Sequence, residues 1–305
     1  MKHLYLLFLI IIISLQPVNA QIDLDFEYGA DSLLIMEASE VLGFSEADTI
    51  FGWNFHGIIG ADFGQKGVSN WVSGGGNSVS YDAYTNISLL YFNKKISWDN
   101  YLYLNYGTIY SSNRNWQKAA DRIVVSSLLA YHTKKKWSYT GLIDFNSQFN
   151  KGYLNNDSKR YKTDIFAPAY SHLAFGASYK SNKRFAYFVA PITLRTTFCF
   201  NNFLSDRGAF GVTPGKKFLF EPGIYASIST SQHFVNNIDL VSKIDFFTPY
   251  NQNIGNVDIN WDILMIFKIY KLFTFTLNAS IRYYGDEIAK IQARDVLGAG
   301  ISYTF

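Results

Sequence analysis

The chain closes on D-V-L-G-A-G-I-S-Y-T-F, residues 295–305, and this stretch decides how the rest is read. Leu297, Ala299, Ile301, Tyr303 and Phe305 are apolar, while Gly298, Gly300, Ser302 and Thr304 between them are small or polar. Alternation of period two marks a β-strand with one face toward an apolar phase and the other toward water. The strand runs to the last residue and ends on an aromatic ring. A water-soluble domain gains nothing by stopping in mid-strand on an exposed Phe. The closing strand of a bacterial outer-membrane barrel ends this way, which makes Tyr303 and Phe305 the expected signal for the barrel-insertion machinery.

The opposite end gives an address. Lys2 and His3 precede an apolar run from Leu4 to Leu15, and Val18-Asn19-Ala20 supplies a small-residue cleavage site. Residues 1–20 therefore read as a secretory signal peptide, because the run is far shorter than the ~20 residues a spanning helix needs. Beyond it no apolar stretch reaches that length. Aromatic residues make up 18% of the chain, with 26 Phe and 22 Tyr, and charged residues only 17%, below the ~25% usual in soluble domains. That composition suits a wall that is oily outside, wet inside and girdled by rings at both interfaces.

Several classes are excluded on the way. A single cysteine, Cys199, cannot form an intramolecular disulfide or a cysteine-based zinc cluster. The five histidines include no close pair with metal-ligand spacing, and the net charge of +3 makes no case for nucleic acid. No catalytic residue, cofactor site or metal site is predicted.

Twelve strand-like runs fill the rest of the chain: 53–63, 78–92, 96–107, 122–133, 137–149, 168–180, 185–199, 217–230, 234–247, 256–269, 273–285 and 295–305. The connections alternate between short links, such as Asn93-Lys94-Lys95, and longer Gly/Asn/Asp-rich ones, such as 150–167 and 200–216. Even strand number, short turns at one end and long loops at the other define a transmembrane barrel with both termini in the periplasm. The predicted fold is all-β: a 12-stranded antiparallel transmembrane β-barrel of the bacterial outer membrane over residues 51–305. A secreted β-sandwich would use fewer, shorter strands.

Residues 21–50 differ in kind. They carry Asp23, Asp25, Glu27, Asp31, Glu37, Glu40, Glu46 and Asp48 without one Lys or Arg. They read as an acidic periplasmic leader, either a solvated tail or a docking segment for other outer-membrane or periplasmic proteins.

The wet phase of the strands holds the candidate chemistry. Asp99, Asp144, Asp258, Asp262, Lys243 and Arg282 are the candidate lumen charges, and Asp82, Arg195, Glu221, Asp239, Asp245 and Lys268 share their phase. Tyr84, Tyr101, Tyr103, Tyr170, Tyr187 and Tyr225 share it too, enough rings to narrow a lumen of this strand number. Such a face serves a weakly cation-preferring pore or a mutually paired, closed interior. A hydrolase on the lipid face, the remote alternative, is disfavoured because His56, His132 and His172 fall on the polar side.

Four stretches carry a family resemblance. Gly52-Trp53 leads into Asp62-Phe63-Gly64-Gln65 and Ser69-Asn70-Trp71-Val72-Ser73-Gly74-Gly75-Gly76; Trp98-Asp99-Asn100 precedes Tyr106-Gly107; Ile165-Phe166-Ala167-Pro168-Ala169-Tyr170 opens the sixth run; and Asp206-Arg207-Gly208-Ala209-Phe210-Gly211 precedes Val257-Asp258-Ile259-Asn260-Trp261. Over residues 52–305 the chain resembles a Bacteroidota family of outer-membrane barrels of unknown function, DUF 3078. The resemblance implies a fold and a compartment, with outer-membrane lipid and lipopolysaccharide as surroundings, and it supplies no activity. Two functions stand as expectations: a narrow channel or carrier for small polar or weakly cationic solutes, and a non-conducting accessory barrel in a larger outer-membrane complex for assembly, secretion or uptake.

Overall fold

The computed structural model describes residues 51–66, 78–111, 115–133, 136–154, 157–181, 185–235, 238–251, 257–269, 273–283 and 291–304. Within these, twelve antiparallel strands close into a barrel. They are β1 (Gly52–Lys66), β2 (Ser78–Phe92), β3 (Ile96–Ser111), β4 (Asn115–His132), β5 (Trp137–Ser147), β8 (Ala169–Ser181), β9 (Phe185–Phe198), β10 (Phe218–Val235), β11 (Ile238–Pro249), β12 (Asp258–Lys268), β13 (Phe273–Tyr283) and β14 (Gln292–Thr304). A separate small hairpin, β6 (Gly152–Leu154) and β7 (Asp157–Thr163), sits between β5 and β8. The closing stretch pairs on both sides: Ile59 lies opposite Tyr303 and Asp62 opposite Gly300, while Phe273 lies opposite Ile301. Closure leaves no barrel strand with an open edge. Residues 1–20 and 21–50, expected as signal peptide and acidic leader, and Phe305 lie outside the described residues.

The two faces separate as the alternation predicts. Outward stand Trp53, Phe55 and Ile59 on β1, Leu129 and Tyr131 on β4, Trp137, Tyr139 and Ile143 on β5, and Ile301 and Tyr303 on β14, all exposed. Leaving a large apolar side chain in water forgoes about 1.5–3 kcal/mol, so a wall of this composition calls for an apolar surrounding phase. Inward, the strands bury Ser88, Ser126, Thr140, Asp144, Ser227, Lys243, Asn260 and Asp262. Aromatic pairs mark the short-turn end, with Trp53 at 5.1 Å from Tyr91 and 5.6 Å from Trp98, and Trp137 at 5.0 Å from Tyr179. Glycines inside let large groups lie flat across the wall: a Cβ on Gly60 would sit 2.2 Å from the Tyr84 ring.

Two bulges correct the strand reading. Gly107 pairs with Ala120 and Thr108 with Lys118, so Ala119 is an extra residue and β4 begins at Asn115 rather than at 122. The insertion breaks the alternation there, and the pattern looks like loop. The second bulge is in β9: Phe175 pairs with Ile192 but Ala177 with Val189, and Gly223 pairs with Thr193 but Tyr225 with Ala190. Both neighbours see extra residues around Pro191, which has no N–H to give a ladder. The phase inverts across it. Arg195 faces the lumen as expected, but Tyr187 turns outward, 37% exposed and 6.2 Å from Tyr179.

The long connections after β5 and β9 build a cap that period-two reading does not show. It contains a one-turn helix α1 (Asn202–Ser205), whose N-cap Asn201 accepts from the Leu204 amide, and a small core of Ala167, Cys199, Leu204 and Val212. Asn201 Nδ2 donates to Asp164 Oδ2 at 2.7 Å, joining the two connections. Gln148, fully buried, donates to the carbonyls of Asp164 and Ala167 and accepts from Lys118 Nζ.

Candidate functional site: the lumen charge belts

Antiparallel pairing sets β9 to β12 side by side, and their register stacks ionisable residues at common heights. Near the long-loop end His172 on β8 lies opposite Arg195 on β9, which lies opposite Glu221 on β10. Arg195 is the hub. Its Nε donates to Glu221 Oε2 at 2.9 Å and Nη2 to Glu221 Oε1 at 3.0 Å, a forked pair. Its Nη1 donates to Asp258 Oδ2 at 2.8 Å, spanning from β9 past two strands to β12. The guanidinium carbon sits 4.2 Å from the Phe247 ring centre, a cation over an aromatic face. On the other flank Asp144 accepts from the His172 amide at 2.8 Å and meets its Nδ1 at 2.9 Å.

A second belt lies one step further down the strands. Lys243 on β11 is directly opposite Asp262 on β12, and Asp245 is opposite Asn260. Lys243 Nζ is 2.6 Å from Asp245 Oδ1, which also accepts the Tyr225 hydroxyl. Asn260 Nδ2 donates to Asp262. Lys243 is 2% exposed and Asp262 not at all. Beside these belts an apolar cluster of Leu142, Ala174, Phe188, Ala190, Tyr225 and Phe247 is buried inside the barrel. The interior of this half is therefore packed, and its belts are held by ion pairs and hydrogen bonds, although Asp245 Oδ2 is buried without a hydrogen-bond partner.

Of the predicted lumen charges, Asp144 joins the upper belt with Asp258, and Lys243 joins the lower one with Asp262. Asp99 stands apart, half-buried on β3 near the short-turn end, opposite Leu90 and Leu128. Arg282 is opposite Asn260 in register, and its side chain lies outside those described. Sequence reasoning placed Arg195, Glu221 and Asp245 in the right phase without recognising that Arg195 ties the set together. It also missed the apolar lumen residues. Leu142 between Thr140 and Asp144, and Phe247 two residues from Asp245, were the available signal: large apolar groups in the wet phase. Among the described residues no group of three or more His, Cys, Asp or Glu is placed to hold a metal ion.

Residues 63–153, from β1 to the first strand of the small hairpin, match a protein family of unknown function (DUF3078). The match covers the Trp98-Asp99-Asn100 and Tyr106-Gly107 motifs of the resemblance drawn over residues 52–305. No curated protein matches the sequence at a significant level. Among solved structures the chain is similar to the translocator domain of the autotransporter NalP from Neisseria meningitidis, at 9% identity and a TM-score of 0.41 over 90% of this chain and 96% of that one. It is similar to an outer-membrane channel from Pseudomonas putida F1, at 8% identity and a TM-score of 0.41 over 84% and 95%. The NanC porin follows at 8% identity and 0.39 over 81% and 98%.

Proposed function

We propose that the chain is an outer-membrane barrel that offers a narrow path to small polar or weakly cationic solutes, the long connections facing outward. The observation that carries this reading is the charge balance of the lumen face. Asp144, Glu221, Asp239, Asp245, Asp258 and Asp262 are buried there and Asp62 and Asp82 half-buried, against Arg122, Arg195, Lys243 and the rings of His56, His132 and His172 among the described side chains. A lumen richer in carboxylate than in cation carries a negative potential that draws small cations and repels anions. The apolar outer wall supports the membrane setting, since a closed barrel satisfies every strand within itself and needs no water outside.

A second reading has its own observation. Ile58, Ser88, Val124, Leu142, Tyr225, Val241 and Ile266 are all buried on lumen faces, which favours a closed interior and an accessory, non-conducting role in a larger outer-membrane complex. Purified protein in planar bilayers separates the two. The channel reading expects stepwise conductance with cation preference that weakens in Asp258→Asn/Asp262→Asn. Silence in the bilayer, together with loss of co-purifying partners on deleting residues 21–50, would establish the accessory role instead.

A further inference from the structure

The outer wall of the barrel stands taller on one side than the strands alone would make it. Phe145, Phe198, Phe218 and Phe220 project from β5, β9 and β10, and two residues outside the strands, Phe166 and Phe200, carry the same surface beyond the strand ends. The rings form one chain: Phe145 to Phe166 at 6.0 Å, Phe166 to Phe200 at 6.3 Å, Phe200 to Phe218 at 5.5 Å, and Phe218 stacked on Phe220 at 5.9 Å. The cap holds the two loop residues in place. Phe166 N donates to Ser147 Oγ, and Phe200 N donates to the Phe166 carbonyl at 3.0 Å. Phe166 has a φ of 52°, a left-handed conformation that costs a non-glycine residue about 1–3 kcal/mol. The fold thus accepts strain to keep this ring against its neighbours, yet Phe200 remains 49% and Phe220 56% exposed.

The same two connections are the cation-rich ones. Lys151, Lys159, Arg160 and Lys162 lie in the first, and Arg207, Lys216 and Lys217 in the second, against Asp157, Asp164 and Asp206. By contrast, connections 67–77 and 252–256 contain no charged residue, and 284–290 contains Asp286, Glu287 and Lys290. Lys217 immediately precedes Phe218, and its ammonium donates to Asn202 Oδ1, two residues from Phe200, so the cation sits in the cap beside the ring surface. Arg207 is 3.7 Å above the Phe203 ring in the same cap.

We propose that this side of the barrel is a binding site for a phosphate-bearing glycolipid of the outer leaflet, with acyl chains on the six phenylalanines and phosphates held by Arg207, Lys216 and Lys217. The inference rests on the outer-membrane reading with the long connections outward. An apolar wall crowned by clustered cations is complementary to an amphiphile with an anionic head and several chains, and the cap pre-organises both parts before binding.

The test uses the full chain in detergent micelles and bis-phosphorylated lipid A as probe, with retention followed by native mass spectrometry. Wild type should bind the probe at least tenfold more tightly than dephosphorylated lipid A. Arg207→Gln/Lys216→Gln/Lys217→Gln should abolish that difference, and Phe166→Ser/Phe200→Ser should weaken both lipids alike. Because the comparison of two lipids on wild type needs no variant, misfolding of a variant leaves a decisive measurement. Equal affinity for the two lipids, or for phosphatidylethanolamine, overturns the proposal. So does a wild-type dimer that Phe166→Ser/Phe200→Ser dissociates, since a second copy would then be the occupant. Recovery of the protein from native outer membranes alongside such a negative result sinks the glycolipid site alone; recovery in the soluble fraction sinks the membrane reading with it.

Discussion

Replacing Arg195 by Met tests whether the lumen is a packed interior or a hydrated bore. The guanidinium makes three charge-assisted hydrogen bonds, two to Glu221 and one to Asp258, and lies on Phe247. Glu221 and Asp258 are only 6% and 8% exposed. Met keeps the stem and much of the volume but leaves both carboxylates without this partner. Removing one member of a buried ionic cluster destabilises by about 3–5 kcal/mol, most of it from the charge left behind rather than from the bond lost. Arg195 itself is part-exposed at 19%, so the lower end of that range is expected. Arg195→Met/Glu221→Gln/Asp258→Asn removes the stranded charges along with their partner and should recover most of the loss, since a neutral set of similar volume is often as stable as the ionic one. Urea unfolding in lipid vesicles, followed by tryptophan fluorescence and by heat-dependent gel mobility, gives both differences. If Arg195→Met unfolds within ~1 kcal/mol of wild type, water reaches the triad and screens it, and the packed description of this half of the lumen is wrong.

Four further outcomes follow from particular contacts. Gly60→Val places a side chain where the Tyr84 ring lies; it should destabilise by about 1–3 kcal/mol through overpacking, and Tyr84→Ser in the same chain should relieve it in the same urea assay. Gln148→Ala strips two carbonyls and the Lys118 ammonium of a buried partner, a loss of about 2–3 kcal/mol confined to the cap, so limited proteolysis should cut within 152–163 while the barrel still shows its gel shift. Burial pushes the Cys199 thiol up from its ordinary value, so a maleimide at neutral pH should label it only after denaturation; fast labelling of the folded protein would contradict the buried cap core. Deleting Phe305 should lower the amount of barrel recovered from the outer membrane in cells, without changing urea stability of the protein refolded in vesicles; unchanged recovery would remove its role as an insertion signal.

Much of the architecture was readable because alternation is a local property. In β12, Asp258, Asn260 and Asp262 face in and Trp261 out, as the residues themselves announce. The closing strand was readable for the same reason: Tyr303 stands on the outer face as its alternation predicts, and the structure pairs it with Ile59. Where the reading failed, a short insertion was responsible. Ala119 hid the first residues of β4, and the bulge at Pro191 sent Tyr187 outward while leaving Arg195 inward, although both are odd-numbered positions of one strand. Alternation has no memory across such a shift. The cap was not readable at all, since a core of Ala167, Cys199, Leu204 and Val212 gathers from two separate connections and has no period.

The charge belts lie between these cases. Phase shows that a carboxylate faces the lumen; it does not show what faces it from across the barrel. The phase of Asp258 turns it inward, yet its behaviour depends on Arg195, which reaches it from β9 over β10 and β11. Asp262 has the same phase, lies opposite Lys243 on the adjacent strand and accepts from Asn260 on its own. Substituting either Asp by Asn therefore probes different things: at 258 it releases a hub that fastens four strands, and at 262 it alters one rung of a ladder. A selectivity change that appears with Asp262→Asn alone would locate the cation path at the lower belt, since that substitution leaves the Arg195 clamp in place.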